Sequence, residues 1–459
     1  MFKNSLIALK SLRSSRVLLA AALLSLPAFA QGPCDIYAKA GTPCVAAHST
    51  TRALYDTFSG PLYQVLDTTN NKTKDIYPIV RGGVANKSSQ DSFFNGKVGK
   101  ISIIYDQSPQ KNHLPKSPKC TYLSVGKEAS SSQGITKLDG HDVVGIYIVG
   151  AAAESWAPNG IPGVAYRNNN TKGVATGNQA ESMYMVVDGK RYSNACCFDY
   201  GNGETTGHDD GNGTMEAIYW GTNITWGGKG EGSGPWIAAD LENGMFKANQ
   251  GGQGSSNQSY TNDKTINATY ASLFLKGPAA DTFGMKAGDA QTGKLTTMWN
   301  GPRPTPNYYP KKLQGAIFLG TGGDGSPGGT GTFYEGVMTI GNPPDSIDDK
   351  VQANIVAAGY GRTTSSVRPR PANETTVRLV YLSSGSVASF EYANTVGTQT
   401  ELQISDIRGS RVATIHQGPV APGNHRAVWD ASKSRSGLYL VKLVEDGHTA
   451  WAGNVLIGK

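Results

Sequence analysis

Charge and cysteine are both scarce in this chain. Of 459 residues, 17% are Asp, Glu, Lys or Arg, and five are cysteine. Beyond the first thirty residues no apolar run is long enough to span a bilayer, so no membrane span is expected. Long helical periodicity is missing. The seven histidines show no HExxH and no paired-ligand spacing, so neither a catalytic metal nor another cofactor is expected. There is no basic stripe. The formal charge is +7, but Lys3, Lys10, Arg13 and Arg16 carry +4 of it with no acid before position 31, leaving +3 for the rest. That is too little for a nucleic-acid binder of this size.

What the first thirty residues do contain is a basic start, an apolar run from Val17 to Leu26, and the small-x-small ending Pro27-Ala28-Phe29-Ala30. This pattern predicts a signal peptide over 1–30, cut after Ala30, and hence a secreted or cell-surface protein. Export exposes the cysteines to an oxidising compartment. Cys34 and Cys44 are spaced for a small loop clip, which leaves Cys120 as the odd one.

Glycine is abundant, 58 residues, about twice ordinary usage. Short apolar runs alternate with Gly, Asn, Ser and Thr clusters, which predicts an all-β chain with many loops. Lys100–Tyr105 and Val143–Val149 read as buried strands. Residues 32–361 form one continuous unit. A stiff, exposed linker follows over 362–374, with Arg368-Pro369-Arg370-Pro371. A second unit, 375–459, has the pattern of a small antiparallel sandwich. Leu402, Ile404 and Ile407 precede the turn Arg408-Gly409-Ser410. Val412 and Ile415 open the next strand, then come Trp429-Asp430, Ser436–Val441 and a last strand near Val455.

Three stretches in the first unit carry candidate chemistry. In Trp236–Gly244, read as a strand, Trp236, Ala238, Asp240 and Glu242 share one face, and Ile237, Ala239 and Leu241 share the other. Two carboxylates on one face beside a Trp raise each other's pKa. A solvated outer face with two ordinary acids fits the same pattern. In Gly315–Asp324 a buried strand runs into a glycine loop bearing an acid. Glycines let backbone approach a ligand, although a plain turn has the same composition. The loop lacks the Lys-Ser/Thr of a phosphate loop. Cys196 and Cys197 are adjacent. Either they are two buried thiols, or they close a rigid eight-membered ring whose flat apolar face could pack on a sugar. Trp226, in a further glycine-rich loop, fits both a core residue and a sugar-stacking one.

The first unit resembles the catalytic domain of glycoside hydrolase family 54, the fungal-type α-L-arabinofuranosidases. The resemblance is collinear over about 32 to 360. It is carried by Gly32–Tyr37, Gly41–Tyr55, Gly60–Val65, Ile104–Ser108, Asn112–Leu114, Ala195–Asn202, Met215–Tyr219, the acid-bearing stretches, Thr332–Met338 and Val351–Ala358. It implies a concanavalin- or jelly-roll-like β-sandwich, retaining hydrolysis of terminal arabinofuranosyl groups, and plant cell-wall arabinoxylan or arabinan as partner. By position in the motif, Glu242 would be the nucleophile and Asp324 the general acid/base. Asp240, Asn243, Gly244 and Gly323 would hold the sugar. Trp226 and a Cys196–Cys197 disulfide would line its pocket, and Cys34–Cys44 would be the N-terminal clip. Two features depart from the family. Its second small disulfide loop would fall near Phe93–Lys97, where cysteines are missing. Its C-terminal arabinose-binding β-trefoil is replaced by 375–459. That unit resembles the immunoglobulin-like sorting domain of type IX secretion substrates, which implies the secretion machinery as a second partner. Competing readings are a non-catalytic carbohydrate-binding or adhesin protein, and a related glycosidase with another sugar specificity.

Overall fold

The computed structural model describes residues 31–151, 160–363, 377–383, 387–394, 398–421, 423–445 and 448–457. The leader expected over 1–30 and residues 364–374 of the expected linker lie outside them.

Two antiparallel sheets make the sandwich of the first unit. The larger has the spatial order Cys44–Ser49, Gly331–Ile340, Glu181–Asp188, Tyr270–Gly277, Thr282–Asp289 and Thr292–Pro302, with Ile146–Ile148 also paired to Gly331–Ile340. The smaller runs Tyr166–Asn168, Ala316–Leu319, Asp199–Gly203, Glu216–Gly221, Trp236–Asp240 and Met245–Phe246. Strands Glu216–Gly221 and Trp236–Asp240 lie against Tyr270–Gly277 and Thr282–Asp289. The alternation of a pleated strand sorts their side chains. Ile218, Trp220, Ile237, Ala239, Ile317 and Leu319 enter the core between the sheets. Ala217, Tyr219, Ala238 and Phe318 point to the opposite face. Loops cover that second face, so the strands are buried on both sides. A satellite sheet built on Tyr63–Asp67, Lys72–Ile76 and Lys100–Ile104 adds Val65, Ile76 and Ile101 to the same core.

The all-β expectation holds, with two local corrections. Val143–Val149 is not one strand. It splits at Gly145 into His141–Val144 and Ile146–Ile148, which pair with different partners. A Cβ on Gly145 would press on Tyr334 and Thr332. The described residues also contain three helices, Pro33–Lys39, Lys87–Phe94 and Asp345–Ala358. The last one buries Asp348, Val351, Gln352, Ile355 and Ala358. These fall at helical spacing, but Asp348 and Gln352 interrupt the apolar stripe, so hydrophobic periodicity does not reveal it. Near the missing disulfide loop, Lys87–Phe94 is closed instead by Asn95 in the left-handed region, with Phe93 packed on Phe94.

A second core belongs to the C-terminal strands. Val377–Ser383, Val387–Asn394 and Gly423–Asp430 form one sheet; Arg411–Val420, Thr398–Asp406, Gly437–Glu445 and His448–Ile457 form another. Leu402, Ile404, Trp429, Tyr439, Val441 and Val455 pack together between them. Ile407, part of the expected apolar pattern, lies beyond the strand end and is 79% exposed.

Candidate active site

The outer face of the smaller sheet carries a recess of about 100 Å³. Every expected site residue borders it: Glu242, Asp324, Asp240, Asn243, Gly244, Gly323, Trp226, Cys196 and Cys197. Tyr122, Asp209, Met215, Met245, Gly322 and Ser326 complete the wall. The sequence reading missed these six.

Asp240 ends its strand pointing outward, as alternation requires. Glu242 arrives differently from the expectation. The strand stops at Asp240, and Glu242 and Asn243 turn through the left-handed region at φ 68° and 54°. Two left-handed non-glycine residues in a row cost on the order of 1–3 kcal/mol each, and such outliers persist where surrounding structure enforces them. Here Leu241 N–H donates to Gly244 carbonyl over 3.1 Å and Gly213 N–H to Leu241 carbonyl over 2.9 Å. Asp240 Oδ1 accepts from Glu242 N–H at 3.3 Å. Asn243 is tied to Asp209 and Asn212 through its Nδ2. Trp236, expected on the acid face, does not line the recess. It is buried, with Nε1 donating to Glu231 carbonyl.

Asp324 sits in the loop after Ala316–Leu319. Its Oδ1 accepts from the backbone N–H of Ser326 over 2.8 Å and from Ser326 Oγ over 2.5 Å. Arg167, fully enclosed, donates to Gly323 carbonyl over 2.6 Å and to Glu204 carbonyl, which pins the loop to the end of Asp199–Gly203. The loop lies directly on the cysteine pair. Gly328 N–H donates to Cys196 carbonyl and Cys197 N–H to Ser326 carbonyl. A Cβ on Gly329 would overlap the Cys197 backbone. The glycines thus serve close backbone packing as much as ligand access. Cys196 and Cys197 are disulfide-bonded across a cis peptide, with Cα atoms 3.0 Å apart, where a trans link would set about 3.8 Å. Their cluster includes Tyr219, Ala238, Met245 and Trp226, and Cys197 Sγ is 3.7 Å from Asp240 Oδ2. Cys34–Cys44 is the other disulfide. Cys120 is a free, buried thiol.

Electrostatically the site is a cluster of buried carboxyls. Burial, then the charges of Glu204, Asp240 and Asp324, push Glu242 up to about 12. Burial also raises Asp240, to about 7, with Asp324 and Glu204 adding to it. Asp324 is raised by burial and Asp209, against the hydrogen bonds from Ser326 and the charge of Arg167. Behind the recess, Asp199 is raised strongly by burial and Asp240, and Glu204 is raised by burial. One group of His, Cys, Asp or Glu side chains lies close enough to suggest a metal among the described residues. It is Cys196, Cys197 and Asp240, and the disulfide already occupies both sulfurs.

The family model for the catalytic domain of α-L-arabinofuranosidase B matches residues 33–361. The chain belongs to this family. It is 45% identical over 376 residues to a probable α-L-arabinofuranosidase B of Aspergillus fumigatus, covering 80% of this chain and 70% of that one. An arabinofuranosidase/β-xylosidase of Trichoderma koningii is 45% identical over 355 residues, covering 76% and 67%. Among solved structures, an arabinofuranosidase complexed with arabinofuranosyl-α-1,2-xylobiose matches with a TM-score of 0.67 at 40% identity, covering 80% of this chain and 73% of that one. The sandwich and its carboxyl-lined recess both fall inside the matched residues.

Proposed function

We propose that this α-L-arabinofuranosidase removes terminal arabinofuranosyl groups from arabinoxylan or arabinan by double displacement, with Glu242 as nucleophile and Asp324 as general acid/base. The observation that carries the reading is the meeting of these two acids on one recess. Asp324 Oδ1 is 3.1 Å from where a Cβ on Gly322 would stand, and Glu242 Oε2 is 3.2 Å from the equivalent point on Gly323. Retaining hydrolysis needs two carboxyls about 5–5.5 Å apart, one ionised and one protonated.

In this reading Glu242 attacks the anomeric carbon while the protonated Asp324 gives its proton to the leaving oxygen. Asp324 then takes a proton from the water that opens the glycosyl-enzyme. Burial and neighbouring acids favour the protonated Asp324 that the first step needs. Asp240, Asn243, Gly244 and Gly323 hold the sugar hydroxyls, and Trp226 with the cysteine ring packs on its apolar face. The solved relative bound to arabinofuranosyl-α-1,2-xylobiose supports an arabinoxylan-derived substrate. The Trichoderma relative's double name makes β-xylosides the competing substrate to test. Residues 1–30 serve as the export leader in this reading, and 375–459 as the sorting tail, which makes the enzyme extracellular or surface-bound.

Hydrolysis of 4-nitrophenyl α-L-arabinofuranoside tests the assignment. Activity is expected in the wild type and absent in Glu242→Gln. Asp324→Asn should fall by on the order of 10²–10⁴-fold. A folded Glu242→Gln protein with full activity overturns the reading. A panel of aryl glycosides ranks arabinofuranose against xylose.

A further inference from the structure

Glu204 is a carboxyl to which the reaction above gives no task. It directly follows Asp199–Gly203, and its residue surface is 0% exposed. Thr214 Oγ1 donates to its Oε1 over 2.6 Å. Its Oε2 is enclosed and has no hydrogen-bond partner among the described residues. The Glu242 carboxyl is its neighbour, and each group acts on the other's ionisation. Gly323 marks the same spot, since a Cβ there would collide with Glu204 Oε2 and stand 3.2 Å from Glu242 Oε2. Ionised carboxylates only accept hydrogen bonds, so a proton between the two groups is what would satisfy the enclosed Glu204 Oε2. Two buried carboxyls this near titrate as a unit, and the like charges oppose ionisation of both.

We propose that Glu204 is the positioning residue of the nucleophile: when substrate binds it takes the shared proton and, by donating a hydrogen bond to Glu242 Oε2, holds Glu242 as an oriented carboxylate. This rests on Glu242 being the nucleophile. The O–H bond on Glu242 Oε2 breaks and one forms on Glu204 Oε2, with no change in the charge of the pair. Glu242 Oε1 then bonds to the anomeric carbon as the bond to the leaving oxygen breaks, and Asp324 protonates that oxygen. Glu204 keeps its proton through the glycosyl-enzyme and meets the carboxylate again when water releases the sugar.

The charges around the pair explain why substrate is needed for the transfer. Glu204 faces Glu242, the hydroxyl of Thr214 and the guanidinium of Arg167, and the charge of Arg167 favours an ionised Glu204. Glu242 faces Glu204, Asp240 and Asp324, which all oppose its ionisation. These charges favour the proton on Glu242 before substrate binds. Positive charge developing on the sugar is nearer Glu242, which lines the recess, than Glu204 behind it. That reverses the preference.

The test compares Glu204→Gln, which keeps a donor, with Glu204→Met, which keeps the volume and loses it, and with Glu242→Gln. For Glu204→Met we expect kcat to fall by on the order of 10²-fold. The acid limb of its kcat/KM profile should move up by about one pH unit, because Glu242 must then ionise without a donor. Glu204→Gln should stay within about tenfold of wild type, with the limb in place. Difference infrared spectra near neutral pH supply a readout that does not depend on Glu204→Met folding: Glu204→Gln should lose one protonated-carboxyl carbonyl band, that of Glu242, which the amide donor then holds ionised. An unmoved acid limb in folded Glu204→Met, an equal loss in both Glu204 variants, or no lost band in Glu204→Gln each overturns the proposal. Full activity in Glu242→Gln overturns the underlying assignment instead, whatever the Glu204 variants do.

Discussion

Asp199, Glu204, Asp240, Glu242 and Asp324 are each held above the ordinary carboxylate range by burial, and neighbouring acids add to the rise for all but Glu204. An acid whose pKa is higher in the folded chain than in the unfolded one binds more protons when folded, so stability falls as pH rises. The contribution is complete below about pH 4, the unfolded value. It is lost as pH climbs through the folded values, near 7 for Asp240 and near 12 for Glu242. Replacing Glu242 by Gln removes one of these acids. Glu242→Gln should therefore be more stable than wild type by on the order of 1 kcal/mol at neutral pH. The difference should shrink toward pH 4 and grow on the alkaline side. Calorimetry across that range checks it, and a gap that widens on acidification contradicts the sign. At this same scale, Asp240 and Asp324 are visible in the sequence because each sits in an unusual setting, an acid on a strand face or on a glycine loop. Glu204 has no such setting. It follows a strand in an ordinary Gly-Glu-Thr stretch, and only the fold brings it against Glu242.

Several motifs that carry the family resemblance build elements rather than the site. Glu335, in the strand Gly331–Ile340, is paired bidentately with Arg52, at 2.5 Å to Nε and 2.6 Å to Nη2. It also accepts from Tyr184 and Tyr360 hydroxyls. Both charged side chains are nearly inaccessible. Removing one partner of such a pair strands the other charge in the core. Glu335→Ala should cost about 3–5 kcal/mol, read by chemical denaturation, with little change in KM for whatever protein remains folded. A cost below about 1 kcal/mol would mean the pair behaves as a surface one. Asp106 is a similar knot. It accepts from the backbone N–H groups of Ala47, Ser108 and Asn112 and from Ser108 Oγ. Neither residue's role can be read from spacing alone, since a buried structural acid and a catalytic one look alike in sequence. The helix Asp345–Ala358 escapes for a related reason. Its Asp348 faces inward to meet Lys276 at 3.0 Å and Lys286 at 3.6 Å, partners from strands some seventy and sixty residues earlier.

Across the whole molecule, the recess draws all of its wall from residues 122 to 326, and the strands after 377 have a hydrophobic core of their own. A chain ended after residue 363 should therefore keep the kcat and KM of the full chain on 4-nitrophenyl α-L-arabinofuranoside. What it should lose, if 375–459 acts as the sorting tail, is export from a host with type IX secretion. Loss of catalysis on truncation would place the C-terminal unit in the active site and contradict this division.

Local chemistry in the sequence points to the class of the fold, and the family resemblance supplies nine of the fifteen wall residues. Strand alternation, glycine-rich turns and paired cysteines act over a few positions, and Trp236–Gly244 and Gly315–Asp324 show their pattern without reference to the rest of the chain. The tertiary structure alone decides what those stretches meet. The strand ends at Asp240 and a left-handed turn aims Glu242, because residues from 209 to 213 hold that turn. Glu204, Arg167 and Asp199 join the site from other strands. Carboxyl pKa values and hydrogen-bond partners depend on distances of a few ångströms between positions far apart in sequence, and sequence spacing does not encode them.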